Sequence, residues 1–332
     1  MLSSGCIRVF ATLVIVTCAT IVGPATDATA ASVERPGAAG GPTEIMASVI
    51  MLDLDTVNDA NQSYEANVYV ELMWTDPRLR DEPVAESNVW RPRVAIGNRQ
   101  QAWAILPESL EIGGNGSLRL SQNVWGSFSQ PLDLRRFPFD TQVLKVTLLA
   151  DAASNEIVFV QHPDRPSGIS KALSVPDWEI LDVSSEGRLF EVSEGIDPIP
   201  SFVMTISAER RFEYYVFTMI VPLVVIVGMA FASFWIDPAN FGTKIALASA
   251  SMLTVVTYRV ASVQILPRTS YFTDMDIFIV GCTVLVFLAL VGAVVTSVKF
   301  REGKEVTARR VDQWARRLAP LAFIAVIASA FA

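Results

Sequence analysis

Residues 202–235 read FVMTISAERRFEYYVFTMIVPLVVIVGMAFASFW, and the texture of the chain changes inside that stretch. Up to Arg210-Arg211 it is strand-like, ending a series of short β-prone runs such as Phe202-Val203-Met204-Thr205-Ile206. From 214 to 235 it carries no charge. At 1.5 Å per residue, a helix of that length crosses a hydrocarbon core of about 30 Å. A β-rich domain therefore passes into a membrane-spanning helix within a few residues.

Upstream, residues 43–211 hold more alternating runs, among them Ala66-Asn67-Val68-Tyr69-Val70-Glu71-Leu72 and Val143-Leu144-Lys145-Val146-Thr147-Leu148, separated by Gly, Pro, Asn and Asp. They predict one all-β sandwich of immunoglobulin-like type rather than two domains. Downstream lie two further apolar runs and a weaker fourth at 318–332, which needs residues back to Trp314 to reach across. The transmembrane domain is thus expected over 212–332, an α-helical four-helix bundle with spans near 214–236, 243–265, 275–298 and 314–332. At the other end, Arg8, an apolar run and Ala28-Thr29-Ala30 have the layout of a cleaved signal peptide, 1–30, followed by a flexible lead-in, 31–42.

The signal places the sandwich outside the membrane. The linker between the third and fourth spans, with Lys299, Arg301, Lys304, Arg309, Arg310, Arg316 and Arg317 against Glu302, Glu305 and Asp312, is then cytoplasmic, as the positive-inside rule requires. Composition narrows the function. The chain is 51% hydrophobic and 18% charged, too apolar for a soluble domain, and its net charge of −8 argues against a nucleic-acid partner. Cys6 and Cys18 leave with the signal and Cys282 lies in a membrane run, so no internal disulfide is expected. His162, the one histidine, reads as an exposed loop residue before Pro163, and no metal site or other cofactor is expected. No nucleophile, base and orienting group fall at meaningful spacing, so the chain is not expected to be an enzyme.

Phe137-Pro138-Phe139-Asp140 resembles the signature turn of the pentameric ligand-gated ion channels, the Cys-loop receptor superfamily. Trp74-Thr75-Asp76-Pro77-Arg78, Arg210 before Tyr214-Tyr215, Pro222 and Leu266-Pro267-Arg268 extend the likeness, in the family's order, over about 43–332. The loop cysteines of animal members would fall at Gln130 and Leu144, so the likeness is to the prokaryotic branch without that disulfide. The resemblance implies a homopentamer in an inner (plasma) membrane that passes inorganic ions when a small-molecule agonist or protons bind outside, with membrane lipid around it.

Counted back from Leu266-Pro267-Arg268, the pore-lining positions that the resemblance implies are Ala246, Ala250, Leu253, Thr257, Val260 and Gln264, with an apolar gate at Leu253 or Val260. Their spacing of four and three residues is one helical face, which serves equally well as a packing stripe. Arg259 lies beside it and is expected to pair with Asp274 or Asp276. Where cation channels carry a Glu ring, Phe241-Gly242-Thr243-Lys244 has none and keeps only a basic residue, so the permeant charge stays open.

For the agonist site the resemblance selects Tyr69, Trp103, Asp151, Phe190 and Phe202, though each ring could equally be sandwich core. The loop 149–154 lacks the aromatic common there. Protons acting on Asp53, Asp55, Asp59, Asp151, Asp274 and Asp276 are the other stimulus considered. Coupling between domains is expected from Asn58, Asp59, Phe137, Pro138, Phe139, Asp140, Arg210 and Pro267, with Asp140 and Arg210 paired. The rival in another class is a receptor whose four helices only anchor it.

Overall fold

The computed structural model describes residues 34–37, 40–80, 86–173, 175, 177–263, 266 and 269–331. The expected signal peptide and the positions Gln264 and Pro267 lie outside the described residues. Strands β1 (Thr43–Asn58), β2 (Ser63–Thr75), β3 (Val94–Ile96), β4 (Arg99–Ala104), β5 (Ser109–Ile112), β6 (Ser117–Ser129), β7 (Thr141–Ala150), β8 (Ile157–Gln161), β9 (Gly168–Ile169), β10 (Trp178–Phe190) and β11 (Ile199–Arg210) form two sheets. One runs β4-β6-β2-β1-β8, with β5 also on β6 and β9 on β1; the other runs β10-β11-β7-β3.

The period-2 pattern explains their packing. Ile45, Ala47, Val49 and Met51 of β1 and Tyr64, Ala66, Val68, Leu72 and Trp74 of β2 point into the core. They meet Leu144, Val146 and Leu148 of β7 and Phe202, Met204 and Ile206 of β11. Tyr64 stacks on Phe128 at 5.1 Å, and its buried hydroxyl donates to the Lys145 carbonyl at 2.6 Å. Asp76, buried at the end of β2, accepts from the Arg78 amide and guanidinium. That pairing gives the Trp74-Thr75-Asp76-Pro77-Arg78 run its local meaning.

Among the described residues four helices are long and apolar enough to cross a membrane: α1 (Glu213–Trp235), α2 (Phe241–Ser262), α3 (Asp274–Arg301) and α4 (Glu305–Phe331). In α1 a π-helical turn, Val216–Ile220, ends two residues before Pro222. A proline has no N–H to give, and its ring crowds the carbonyl one turn back, so wider turns gather there. A capping box opens α3: the Thr273 hydroxyl accepts from the Asp276 amide, and the Asp276 carboxylate accepts from the Thr273 amide. Helix α3 packs on α4 through Phe278, whose ring lies 6.3 Å from Phe323 and 5.4 Å from Phe331. Gly281 sits against Val326, where a Cβ would collide.

Three expectations change. The described part of 31–42 is not a loose lead-in, because Arg35 donates to the Gly41 carbonyl at 2.7 Å and the Gly40 amide to that of Gly37 at 2.9 Å. Helix α4 begins at Glu305 rather than near 314, because its first turns, too polar to count as apolar run, are amphipathic and bury Ala308 and Asp312. His162 is 6% exposed, not a surface residue. Its Nδ1 accepts from the Asp164 and Arg165 amides at 3.1 and 3.0 Å, and Nε2 faces the Met73 sulfur, so the ring folds its own loop back over β2.

Phe202 is fully buried and faces Phe159 at 6.4 Å. Phe202→Ala should cost about 3–5 kcal/mol, the usual penalty for a core phenylalanine cavity. Thermal unfolding of detergent-solubilised protein checks this, and an unchanged midpoint would contradict the packing.

Candidate functional site

The turn from Phe137 to Asp140 hangs from the sandwich onto the helices. The Arg135 carbonyl accepts from the Asp274 amide at 2.8 Å, and the Phe137 carbonyl from that of Met275 at 3.3 Å, so two otherwise orphan donors of α3 are met by the turn. Phe137 is fully buried with its edge to Tyr215 at 4.9 Å, and its bond to Pro138 is cis. Phe139 lies against Phe212 and Phe331 at 5.1 and 5.4 Å, so α4 also reaches the turn.

At the centre is Arg210, at the end of β11. Its Nε donates to Asp140 Oδ1 at 2.8 Å, and its Nη2 to Asp59 Oδ1 at 2.9 Å and Asp140 Oδ2 at 3.2 Å. The Arg210 and Asp140 side chains are only 3% and 2% exposed. The guanidinium also lies over the rings of Trp178 (4.4 Å), Phe137 (5.0 Å) and Tyr215 (5.8 Å). Burial alone would disfavour its charge, but the two carboxylates outweigh burial and push its pKa further up. Burial raises the Asp59 carboxyl above its ordinary value of 3.8, against the pull of Arg210 and with the help of the neighbouring Asp140 charge.

Of the residues expected to couple the domains, Asp59, Phe137, Asp140 and Arg210 meet here. Asn58 instead closes its own hairpin, its side-chain oxygen accepting from the Asn61 amide at 2.9 Å. Trp178 and Tyr215 were missed. Trp178 faces Arg210 across the strand pair, and Tyr215 follows Arg210 by five residues, in the first turn of α1.

On α2, Ala246, Ala250, Leu253, Thr257 and Val260 are all exposed, Leu253 at 70% and Val260 at 68%. Lys244, Ala248, Ser251, Val255 and Ser262 form the buried opposite face. Lys244 is fully buried against Asp312 of α4, at 2.6 Å to each oxygen, so it does not face the open side of the helix. Arg259 makes neither expected ion pair among the described residues, and Asp276 instead accepts from Thr273.

The five residues selected for an agonist site do not converge within one chain. Register puts Tyr69 opposite Asn123 and Trp103 opposite Trp125, so both rings project from the outer face of one sheet, where Trp103 stacks on Trp125 at 5.3 Å. Phe190, partly exposed, and Asp151, exposed and 3.6 Å from Arg93, belong to the other sheet. Phe202 is a correction: its strand parity turns it into the core. The six acids likewise form no single cluster, since Asp55 accepts from the Trp125 indole, Asp151 pairs with Arg93 and Asp276 caps α3.

Beside Tyr69 lies a group that the sequence reading passed over. Glu71, 3% exposed, accepts from Arg119 at 2.7 Å and from Arg165 at 2.9 Å, and the Tyr69 hydroxyl reaches Glu71 at 3.3 Å and Arg119 at 3.4 Å. Burial works against the Glu71 charge, but the hydrogen bonds from Arg165 and Arg119 hold its carboxyl below the usual range. Its position two residues after Tyr69, on the same strand face, was the sequence signal.

An exterior β-sandwich joined through a buried arginine to four spanning helices defines a multi-pass membrane receptor. Residues 30–177 match the model of the neurotransmitter-gated ion-channel ligand binding domain, and residues 219–320 that of the neurotransmitter-gated ion-channel transmembrane region. The chain belongs to this family, the Cys-loop receptor superfamily, whose members are ion-channel receptors and not enzymes. It is similar to a gamma-aminobutyric acid receptor subunit beta of Caenorhabditis elegans, 27% identical over 273 residues, covering 77% of this chain and 49% of that protein. The chain thus spans about half the length of that relative.

Arg210→Gln should destabilise the protein by about 3–5 kcal/mol, because it leaves the buried Asp140 and the Asp59 carboxylate without their partner; Asp140→Asn should cost less, because Arg210 keeps Asp59. The double change should cost clearly less than the sum; additive losses in a thermal-unfolding cycle would separate the two residues. Asp59 gives a signed pH dependence. A carboxyl raised on folding contributes stability below its ordinary pKa and loses that contribution as pH rises through the raised value. The unfolding midpoint of the unmodified protein minus that of Asp59→Asn should therefore grow as pH falls from neutrality toward about 4.

Proposed function

We propose that this chain is one subunit of a homopentameric channel in an inner (plasma) membrane, with its sandwich outside, in which binding at the sandwich opens an ion pore lined by α2. The observation that carries this reading is the unpartnered face of α2. Helix α2 is the least apolar of the four spans, and its exposed side carries Thr254, Thr257 and Arg259 beside Leu253 and Val260; such a mixed surface suits lipid less well than the apolar faces of α1 and α3, and suits a ring of copies around water. Five copies of Leu253 or Val260 would close such a pore by an apolar constriction that water leaves.

Leu253→Ser should let ions pass without stimulus. Flux from liposomes holding the purified protein checks it: flux equal to that of the unmodified protein would remove Leu253 from the gate, and no flux under any stimulus would favour the anchored receptor.

The agonist that best fits the outer surface is a small molecule bearing a carboxylate and an amine. Tyr69 stands within reach of Arg119, which also pairs with Glu111, and the half-exposed Arg165 shares the buried Glu71, so this face presents guanidinium groups toward an anion beside two acids that already hold part of their charge. The relative is a gamma-aminobutyric acid receptor subunit, whose ligand has that charge pattern. An all-aromatic amine cage is less well supported, because Phe202 is core. Completion of the site would come from Phe190 and Asp151 of an adjacent copy. A second reading, proton gating, is favoured by Asp59, which takes up its proton above the ordinary aspartate value and would then loosen its hold on Arg210. Currents during external pH steps, with and without gamma-aminobutyric acid, decide between them. Responses to the amino acid at fixed pH that are lost in Arg119→Gln support the first; responses to pH alone, lost in Asp59→Asn, support the second.

A further inference from the structure

Three side chains of α4 reach the end of α1, the linker that follows it and the first turn of α2. Arg309 pairs with Asp237 at 3.1 Å, Asp312 grips Lys244 at 2.6 Å, and Arg316 donates to the Phe234 carbonyl at 3.0 Å with its guanidinium over the Trp235 ring at 5.8 Å. Their spacing of three and four residues places them on one face of α4. Asp237 in turn accepts from the Ala239 amide at 3.0 Å, in the turn that leads into α2. The rest of α4 is mostly open to its surroundings, with Val306, Trp314, Leu318, Leu321 and Ile324 exposed. The outermost helix therefore holds the cytoplasmic base of α2 by its polar face.

The central contact differs in kind from the two beside it. Arg309 and Asp237 are about half exposed, whereas Lys244 and Asp312 are 0% and 1% exposed. A buried ammonium without its carboxylate is strongly disfavoured, so this pair is either made with good geometry or forces a rearrangement. Its charges also cancel within a hydrogen-bond length.

We infer that the Lys244–Asp312 pair is a positioning clamp that ties the tilt of α2 to α4, and that Lys244, although it stands at the inner mouth, takes no part in selecting ions. The inference rests on the reading of α2 as the pore helix and adds to it a pair of positioning residues and a route by which movement of α4 reaches the pore.

The test compares the unmodified protein with K244Q, D312N and the swapped pair K244D/D312K, all as full chains in liposomes. Half-activation is measured with gamma-aminobutyric acid and with external protons. The single variants should shift it by roughly tenfold or more, and the swapped pair should restore most of the shift, which loss of packing alone would not do. The reversal potential across a salt gradient should be the same in all four. Spin labels on Gly242→Cys supply a readout that needs no conductance: distances between copies should broaden in D312N and sharpen again in the swapped pair. Unchanged half-activation and unchanged label distances in assembled single variants would overturn the clamp, as would a swapped pair no better than the singles. A reversal potential altered in K244Q would overturn the silence of Lys244. If the unmodified protein conducts under no stimulus, the channel reading fails, and the label distances alone then decide the clamp.

Discussion

The charged contact that joins the outer domain to the helices is centred on one buried guanidinium. Arg210 stays charged in a nearly dry place because Asp140 and Asp59 supply carboxylates and three rings supply their faces. Those partners come from separate parts of the chain: the first hairpin, the turn before β7, the start of β10 and the start of α1. Meeting the needs of that one cation brings all four to the same plane. Movement of any of them must either carry the others along or leave a charge exposed to an apolar surrounding, which is costly.

The helices solve a different problem with the same means. In hydrocarbon every backbone donor must be met within the protein, so the ends of the spans are where side chains and loops do most. Thr273 and Asp276 close the start of α3, the turn from 135 to 137 meets its next amides, and Asp237 holds the turn before α2. The two membrane-facing levels thus mirror each other: Arg210 with two acids at the outer plane, and Lys244 with Asp312 toward the inner one. Between them the α2 face remains unpartnered within the chain.

Local chemistry made much of this legible beforehand. The strand periods, the uncharged spans, the basic linker and the Phe137-to-Asp140 turn are all properties of neighbours in sequence, and the pairing of Asp140 with Arg210 followed from the family likeness. The failures share one cause. His162 beside a proline reads as loop, yet two backbone amides turn its ring inward. Phe202 reads as a ring for a ligand until strand parity points it at Phe159. The polar first turns of α4 do not look like a span, because what makes them helical is a face turned toward α1 and α2.

What the sequence determined by itself is therefore the broad order and type of the elements and their placement across the membrane, because each depends on periodicity or net hydropathy along the chain; the α2 face was picked out by the family likeness, since its spacing alone fits a packing stripe equally well. Tertiary structure decided which charges are used. Lys244 looks like a free cation at a pore mouth, and Glu71 like one more acid on a strand; only the fold brings Asp312 to the first, and Arg119 and Arg165 to the second. Partners separated by dozens of residues leave no local trace, and in a buried site the partner sets whether a charge is available.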